Sequence, residues 1–306
     1  MGLMLRMATV FLFCLTGGGW ASAEEKLRPP AEFAPMVFSI VRSVSGCEPS
    51  CPEWIFAQGQ IVAGSPAGLK KILKTAGKRR LPILIQSPGG DVDAAIAMGR
   101  MIRKRKLDTG VSATRFRGCE PTDPDCTLGP EARGVYSGTA FSGGAFCASA
   151  CPLMLAGGVT RLASHWSYVG VHQVTTSYSE TRVTYKTLYR IVNGKKKVVK
   201  KTVVGRKQGP VRTTTKMSKA IRKKLLGYFA EMGVQASTLE AMLSTPPEDM
   251  RHLPEDELLR LGLITRLGTA DMLVARELCK TAPPVSSCSM ITAVAGVPAM
   301  TVSPHP

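Results

Sequence analysis

Ile85-Gln86-Ser87-Pro88-Gly89-Gly90-Asp91 is the segment in which two different periodicities meet. It closes the apolar run 81–85, which is typical of a buried parallel strand. After it, apolar residues recur at helical spacing over residues 92–102. Pro88 forces a turn, and the glycine pair allows backbone conformations that other residues resist. The stretch therefore predicts a strand, a tight turn and a helix.

Strand and helix patterns continue on both sides of this stretch. Their alternation predicts an α/β fold, interrupted by a polar loop at 118–134 that Cys119 and Cys126 would hold. The other predicted elements are strands at 36–41, 54–62, 110–116, 160–163 and 168–171, and helices near 69–77, 148–155, 217–232, 236–243 and 255–261.

Residues 174–216 differ from the rest of the chain and predict a basic β-hairpin inserted into the α/β fold. The segments 181–192 and 195–204 are rich in β-branched and basic residues, and Asn193-Gly194 between them is a strong signal for a two-residue hairpin turn. Basic residues continue as far as Lys224. We expect residues 181–224 to contact an anionic membrane or polymer, although a purely solubilising role is an alternative.

The first residues show a processing pattern. Arg6 precedes a short apolar run at 7–15, and Ala21-Ser22-Ala23 forms an A-x-A cleavage site. The run is too short to span a hydrocarbon core of about 30 Å. We therefore predict a signal peptide at 1–23, cleaved after Ala23, and a periplasmic or secreted protein. The rest divides into a domain at 24–275 and an irregular tail at 276–306.

Cleavage would remove one of the nine cysteines and leave an even number, which fits an oxidising compartment. The eight form near-neighbour couples, so local disulfides are expected, but 105 pairings exist and Cys147 or Cys151 can instead bridge to the 118–134 loop. A metal site in the two C-x3-C groups is an alternative that lacks flanking histidines. The eight cysteines are Cys47, Cys51, Cys119, Cys126, Cys147, Cys151, Cys279 and Cys288.

The chain carries 40 Lys and Arg residues against 22 Asp and Glu residues, a formal net charge of +18. Such an excess suits nucleic acid as well as anionic surfaces. Because the signal peptide predicts export, we expect no nucleic-acid partner.

Ser149 lies in Cys147-Ala148-Ser149-Ala150-Cys151 and is the candidate nucleophile. A serine needs a neighbouring base to take its proton and donors to receive the oxyanion. Small neighbours let a substrate carbonyl approach, and the N–H groups of Ala150 and Gly90 are the expected oxyanion hole.

The base must be one of four histidines: His165, His172, His252 and His305. His172 ends an apolar strand pattern, from which its side chain can reach a neighbouring helix start. A third group must orient the imidazole, and Asp249 is the first choice, with Glu248 and Asp256 as alternatives. A serine–lysine dyad with Lys104 or Lys106 is a mechanistic variant.

Four motifs resemble the proteolytic subunit of the Clp protease, within the ClpP/crotonase fold family, and are most similar to its exported bacterial relatives. They are the stretch 85–90, Ala148-Ser149-Ala150 with Leu155-Ala156-Gly157-Gly158, Val171-His172-Gln173, and Asp249 followed by 253–255 and 261–264. The resemblance implies a spiral of β-β-α units, peptide substrates, a homo-oligomer and no cofactor.

These observations together predict a serine peptidase that cleaves peptides or unfolded segments without ATP, since the envelope has no ATP pool. One alternative is a catalytically silent module that docks on anionic envelope surfaces through its hairpin. Another is crotonase-type acyl-CoA chemistry, which export disfavours because CoA thioesters are cytosolic.

Overall fold

The computed structural model describes residues 34–44, 47–123, 125–128 and 134–290, all within the compact unit Phe33–Pro306. The predicted signal peptide, His305 and residues 291–306 of the predicted tail lie outside the described residues. Within the described part, no helix is both long and apolar enough to cross a bilayer.

Strands and helices alternate along the described chain, as the sequence pattern predicts. The strands are β1 (Val37–Ser43), β2 (Ser50–Gln58), β3 (Ile83–Gln86), β4 (Thr109–Val111), β5 (Ala113–Phe116), β6 (Val135–Phe141), β7 (Phe146–Ala148), β8 (Arg161–Ala163), β9 (Tyr168–Val171), β10 (Thr176–Val192), β11 (Lys195–Thr214), β12 (Arg251–His252), β13 (Arg266–Leu267) and β14 (Cys288–Met290). The helices are α1 (Ser65–Ala76), α2 (Val92–Lys104), α3 (Cys151–Leu155), α4 (Lys219–Met232), α5 (Thr238–Leu243), α6 (Glu255–Leu261) and α7 (Asp271–Val274), with a 3-10 helix at Arg276–Cys279.

Two sheets carry the domain. The larger one has nine strands in the order β13-β8-β4-β3-β2-β1-β6-β5, with β14 paired to β2, and its central neighbours β2, β3, β4 and β8 are parallel. The smaller one has the order β12-β9-β7, in which β9 and β7 run parallel. The predicted α/β fold class is confirmed.

The core lies between the parallel strands and the apolar faces of the helices. All but the last residue of β3 are buried, as expected for a parallel strand covered on both faces. Helix α2 begins at the turn after β3, where the Asp91 side chain accepts a hydrogen bond from the N–H of Ala94 and caps the helix. This cap fixes the direction in which the chain leaves the Gly89-Gly90 turn.

The inserted basic hairpin is confirmed and is longer than predicted. Strands β10 and β11 pair with each other in an antiparallel two-stranded sheet. Asn193 and Gly194 both have positive φ, +52° and +73°, as a hairpin turn of the primed type requires.

All eight described cysteines are joined in four local disulfides: Cys47–Cys51, Cys119–Cys126, Cys147–Cys151 and Cys279–Cys288. This pairing answers the question that the sequence leaves open. Among the described residues, one cluster has three potential metal ligands in reach of each other, Cys47, Glu48 and Cys51, and its two thiols are consumed by the disulfide.

Two segments differ from their predicted form. The helix expected at 148–155 begins only at Cys151, because residues 146–148 pair with β9 as a strand. In the tail expected to be irregular, residues 276–279 form the 3-10 helix and β14 pairs with β2, close to the Cys279–Cys288 disulfide. The boundaries of the domain at 24 and 275 stay a prediction.

Candidate active site

Ser149 occupies a sharp turn between β7 and α3 and has a positive φ of +60°, which is rare for a residue with a side chain. A serine held in this conformation between a strand and a helix is the geometry of a nucleophile elbow. The turn is held in place because Ser149 N–H donates to Gly170 O on β9, at 2.9 Å. Ser149 itself is half-buried and lines a cavity.

A disulfide closes the base of this elbow. Cys147 lies on β7 and Cys151 is the first residue of α3; both are fully buried, and their Cα atoms are 5.1 Å apart. The two cysteines can reach each other because they lie on different elements, with a tight turn between them. The bridge ties the two ends of the five-residue segment that carries Ser149.

His172 follows β9 directly, and β9 lies beside the strand that leads to Ser149. In this register Ala148 pairs with Gly170, so the two side chains leave neighbouring strand ends. The Nε2 atom of His172 is 2.6 Å from the Oγ atom of Ser149. The structure thus brings together the two residues that the sequence predicts as nucleophile and base.

The other imidazole nitrogen, Nδ1 of His172, is 3.0 Å from the carbonyl oxygen of Pro247. A carbonyl oxygen only accepts, so Nδ1 carries the proton and donates it to Pro247. Nε2 is then the unprotonated nitrogen and accepts the hydrogen bond from the Ser149 hydroxyl. This is the tautomer that a general base requires.

Asp249 is not the partner of His172 in this structure, so its predicted orienting role is corrected. Residues 246–249 form a turn in which Asp249 N–H donates to Pro246 O, at 3.1 Å. This turn directs the Pro247 carbonyl at the imidazole and leaves the Asp249 side chain exposed. A backbone carbonyl therefore stands where a carboxylate was expected.

The alternative acids and the lysine variant are not at the site either. Glu248 is exposed, and Asp256 lines a separate cavity together with His165 and His252. Lys104 and Lys106 are exposed, and neither is among the residues that line the cavity at Ser149. No described carboxylate or ammonium replaces the Pro247 carbonyl at Nδ1.

The turn after β3 lies against the elbow and is joined to it by strand-like hydrogen bonds. Ser87 N–H donates to Phe146 O at 2.9 Å, and Ala148 N–H donates to Ser87 O at 3.0 Å. The buried Ser87 hydroxyl donates to Gly59 O at 2.7 Å and accepts from Gly89 N–H at 3.1 Å. The hydrogen bonds of Ser87 thus hold the glycine turn in position.

The predicted oxyanion donors, Gly90 and Ala150, line the same cavity as Ser149 and His172. The bonds Ile61 N–H to Gly89 O and Asp91 N–H to Ile61 O hold the chain on either side of Gly90. Neither Gly90 N–H nor Ala150 N–H makes a hydrogen bond within the described residues. Both donors are therefore free to bind a developing oxyanion.

Gly89 is required because the two turns approach so closely. It has a φ of +94°, and a Cβ atom added there would lie 2.5 Å from Ala148 O and 2.6 Å from the Ser149 Cβ. Such contacts would push Ser149 away. The absence of a side chain at residue 89 therefore determines how near Ser149 lies to the Gly89-Gly90 turn.

The cavity at Ser149 is small, about 130 Å³, and its lining mixes apolar side chains with polar groups. One wall comes from the start of α2, one from α3 and one from the segment after His172. Its lining residues are Gly90, Val92, Ser149, Ala150, Leu153, His172, Gln173, Val174, Thr175 and Met242.

Gln173 positions the segment that carries Pro247, a role that the sequence did not reveal. Its N–H donates to Thr245 O at 3.0 Å, and its side-chain Nε2 donates to Leu243 O at 2.7 Å. The chain from the end of α5 to Thr245, two residues before Pro247, is thereby fixed next to β9. The Val171-His172-Gln173 motif was the available signal, but the acceptors lie 70 residues away in sequence.

The end of α3 is held by buried polar side chains. Tyr228 donates to Leu153 O at 2.5 Å, and Arg161 donates to Ala156 O at 3.0 Å. Burial raises the pKa of Tyr228 and lowers the pKa of Arg161 to about 10, so both keep their protons at neutral pH. These contacts satisfy carbonyl groups that a short helix leaves without partners.

No protein-family model and no curated protein matches the chain. Among solved structures, a mutant of the 1510-N membrane-bound stomatin-specific protease is 15% identical, covers 74% of this chain and 81% of that chain, and has a TM-score of 0.38. A second mutant of that protease, in complex with a substrate peptide, is 16% identical with coverages of 70% and 73% and a TM-score of 0.38. A ClpP1 mutant from Listeria monocytogenes is 14% identical with coverages of 70% and 90% and a TM-score of 0.36.

Proposed function

We propose that the chain is a serine peptidase that hydrolyses peptides or unfolded segments through an acyl-enzyme. Ser149 is the nucleophile, and His172 is the general base and then the general acid. The N–H groups of Gly90 and Ala150 form the oxyanion hole. The Pro247 carbonyl takes the positioning role that the sequence assigned to Asp249.

The observation that carries the proposal is the 2.6 Å contact between Ser149 Oγ and His172 Nε2, in the tautomer set by Pro247. Buried and half-buried serine–histidine contacts also occur in structural roles. Here the serine has positive φ, lines a cavity and lies beside two uncommitted N–H donors. Nucleophile, base and oxyanion donors together indicate acyl transfer.

In the first step Ser149 Oγ bonds to the substrate carbonyl carbon while its proton passes to His172 Nε2. The carbonyl oxygen becomes an oxyanion and accepts hydrogen bonds from Gly90 and Ala150, each such donor being worth about 10²–10³ in rate. Collapse breaks the C–N bond, and the amine leaves with the proton from Nε2. Water then repeats the sequence on the ester and releases Ser149.

The neutral Pro247 carbonyl has a consequence for the charge that develops on His172. It fixes the ring orientation and the tautomer, as a carboxylate does, but its dipole stabilises an imidazolium less than a full negative charge would. We therefore expect this enzyme to turn over more slowly than one with a buried carboxylate at Nδ1.

We further propose that the protein acts outside the cytoplasm and without ATP. The four disulfides support this, because such bonds persist in oxidising compartments. The small cavity, lined in part by Val92, Leu153 and Met242, suits one side chain of an extended peptide rather than a folded surface. Assembly into a homo-oligomer stays a prediction.

Labelling by a fluorophosphonate probe, followed by mapping of the adduct, tests the proposal. We expect one adduct, on Ser149, with no labelling of Ser149→Ala and labelling at least 10³-fold slower in His172→Gln. Ser177→Ala, at an exposed position on β10, is the matched serine control and should label normally. Labelling that persists in Ser149→Ala would refute the assignment of Ser149 as the nucleophile.

Incubation with a peptide mixture separates a peptidase from other serine hydrolases. Mass spectrometry should show cleaved amide bonds that are absent with Ser149→Ala. The enzyme could label at Ser149 and hydrolyse simple esters, yet cleave no peptide in the mixture. That result would support the proposed active site but refute peptides as its substrates.

A further inference from the structure

The hairpin of β10 and β11 is the part of the molecule that the proposed chemistry does not use. At about 3.3 Å per residue, its 17-residue strand β10 is roughly 55 Å long. A two-stranded ribbon without a third strand is only marginally stable in water. A ribbon of this length is therefore expected to gain stability from a surface on which it lies.

One face of the distal ribbon is apolar and aromatic. Tyr185, Tyr189 and Ile191 alternate along β10 and so point to one side. Val203 and Val198 are paired directly opposite the two tyrosines and share that side. Tyr189 is 53% exposed, Val198 65% and Ile191 69%, so no described part of the chain covers this face.

Cations lie among these apolar groups on the same face. The Nζ atom of Lys201 is 4.1 Å from the centroid of the Tyr185 ring, and that of Lys196 is 5.2 Å from the Tyr189 ring. Aromatic rings and lysines with long apolar stems are the combination found where proteins meet the boundary between lipid headgroups and acyl chains.

The charge of the distal ribbon has one sign. From Arg182 to Lys207 the sequence has ten Lys or Arg residues and no Asp or Glu. The face opposite the tyrosines carries Lys186, Lys197 and Lys200. Two copies would repel each other, so edge-to-edge pairing of hairpins is disfavoured, and the complementary surface is anionic.

We propose that residues 182–207 dock on an anionic lipid surface, with the face of Tyr185, Tyr189 and Ile191 at the headgroup–acyl boundary. A soluble polyanion would neutralise the charge but would leave that apolar face in water. A neutral bilayer would cover the apolar face but not the charge. An anionic bilayer meets both demands of the ribbon.

Docking also determines where the candidate active site lies, and this step rests on the proposed function. Val174 and Thr175 line the cavity at Ser149, and β10 begins at the next residue, Thr176. The catalytic cavity therefore lies next to the end of the hairpin that joins the domain. Its substrates would be peptide segments close to a membrane surface.

Vesicle flotation of the full chain tests the docking. We expect binding to vesicles of phosphatidylglycerol and phosphatidylcholine, little binding to phosphatidylcholine alone, and loss in 1 M salt, where the Debye length falls to about 3 Å. Lys197→Gln/Lys200→Gln/Lys207→Gln should weaken binding about 100-fold, at roughly fivefold for each charge. Equal binding to neutral and anionic vesicles would overturn the proposal.

The apolar face is tested by Tyr185→Ser/Tyr189→Ser/Ile191→Ser, which leaves the charge unchanged. We expect at least tenfold weaker binding to anionic vesicles, while Thr184→Ser/Thr202→Ser on the other face binds as the parent does. Retained binding of the apolar-face variant, with displacement by soluble polyphosphate, would instead show a polyanion site.

Two further variants separate the loss of docking from misfolding and from the loss of catalysis. Replacing residues 182–207 by Asn-Gly shortens the hairpin at the Thr181–Gln208 pair and should abolish flotation. Ser149→Ala should float as the parent does, so loss of the proposed activity and loss of docking are read separately. Flotation of the shortened chain would overturn the proposal.

Discussion

The elbow that carries Ser149 and the hairpin that leaves from beside it follow opposite physical rules. Three kinds of contact restrain the elbow. They are the Cys147–Cys151 disulfide, the hydrogen bonds to Ser87 and Gly170, and the burial of all five residues of α3. The hairpin is two exposed strands held mainly by each other. Rigid geometry suits a site that must place atoms to within a fraction of an ångström, whereas an exposed charged ribbon suits contact with an extended surface.

This contrast predicts that small changes in the elbow act on chemistry and large changes in the hairpin do not. Four substitutions or sets of substitutions test it, and their expected effects fall from about 100-fold in rate to less than twofold.

Gly89→Ala should have the largest effect. The new methyl group would meet Ala148 O and the Ser149 Cβ at 2.5–2.6 Å, at a φ of +94° that disfavours alanine. Displacement of a reacting group by about 1 Å costs roughly 10² in rate, so we expect fluorophosphonate labelling at Ser149 to slow about 100-fold. The matched control is Gly227→Ala, where the added methyl group has open space.

An unchanged labelling rate in Gly89→Ala would show that the elbow tolerates displacement and would remove the contrast with the hairpin. Circular dichroism of both variants distinguishes a local shift from general unfolding, because only general unfolding lowers the helical signal.

Cys147→Ala/Cys151→Ala should have the next effect. The loop-closure model gives about 2 kcal/mol of lost stability for so short a loop, measured by urea unfolding. Because this bridge spans Ser149, we also expect labelling to slow roughly tenfold. Cys119→Ala/Cys126→Ala removes a bridge of similar span away from the cavity and should leave the labelling rate unchanged. Equal labelling rates in the two variants would contradict a special role for the Cys147–Cys151 bridge.

Shortening the hairpin by replacing residues 182–207 with Asn-Gly should change the core little. Its side chains are mostly exposed, and exposed substitutions usually alter stability by less than about 0.5 kcal/mol. We expect the urea midpoint of the domain and the labelling rate of Ser149 to remain unchanged. A large fall in either would show that the hairpin supports the cavity at Ser149 rather than acting as a separate surface.

The same contrast explains what the sequence could predict. The sequence identifies Ser149 by its run of small neighbours, and His172 and the glycine turn because each ends an apolar strand, whose parallel neighbours bring such ends to one edge. The hairpin was found because Asn193-Gly194 and alternating residues are local signals. The start of α3 was misplaced because β7 is only three residues long and its pairing to β9 is not a local property.

The partner of His172 could not be predicted, for a different reason. Sequence patterns identify side chains, and the group at Nδ1 is the backbone carbonyl of Pro247, which every residue type possesses. Asp249, the carboxylate that the sequence favours for this position, lies two residues after that carbonyl. The turn at 246–249 that exposes this carboxylate depends on contacts of Gln173 with the end of α5.

Asp249→Asn should therefore also have little effect. The side chain is exposed and makes no hydrogen bond or ion pair to His172, so the loss of its charge should alter peptide cleavage less than twofold. Gln173→Ala makes the opposite test, because it releases Leu243 O and the segment that carries Pro247. If Pro247 orients the imidazole, Gln173→Ala lowers kcat while Asp249→Asn does not. A fall of 10³ or more in Asp249→Asn would show that the carboxylate moves to Nδ1 during turnover, and the site would then be a serine–histidine–aspartate triad after all.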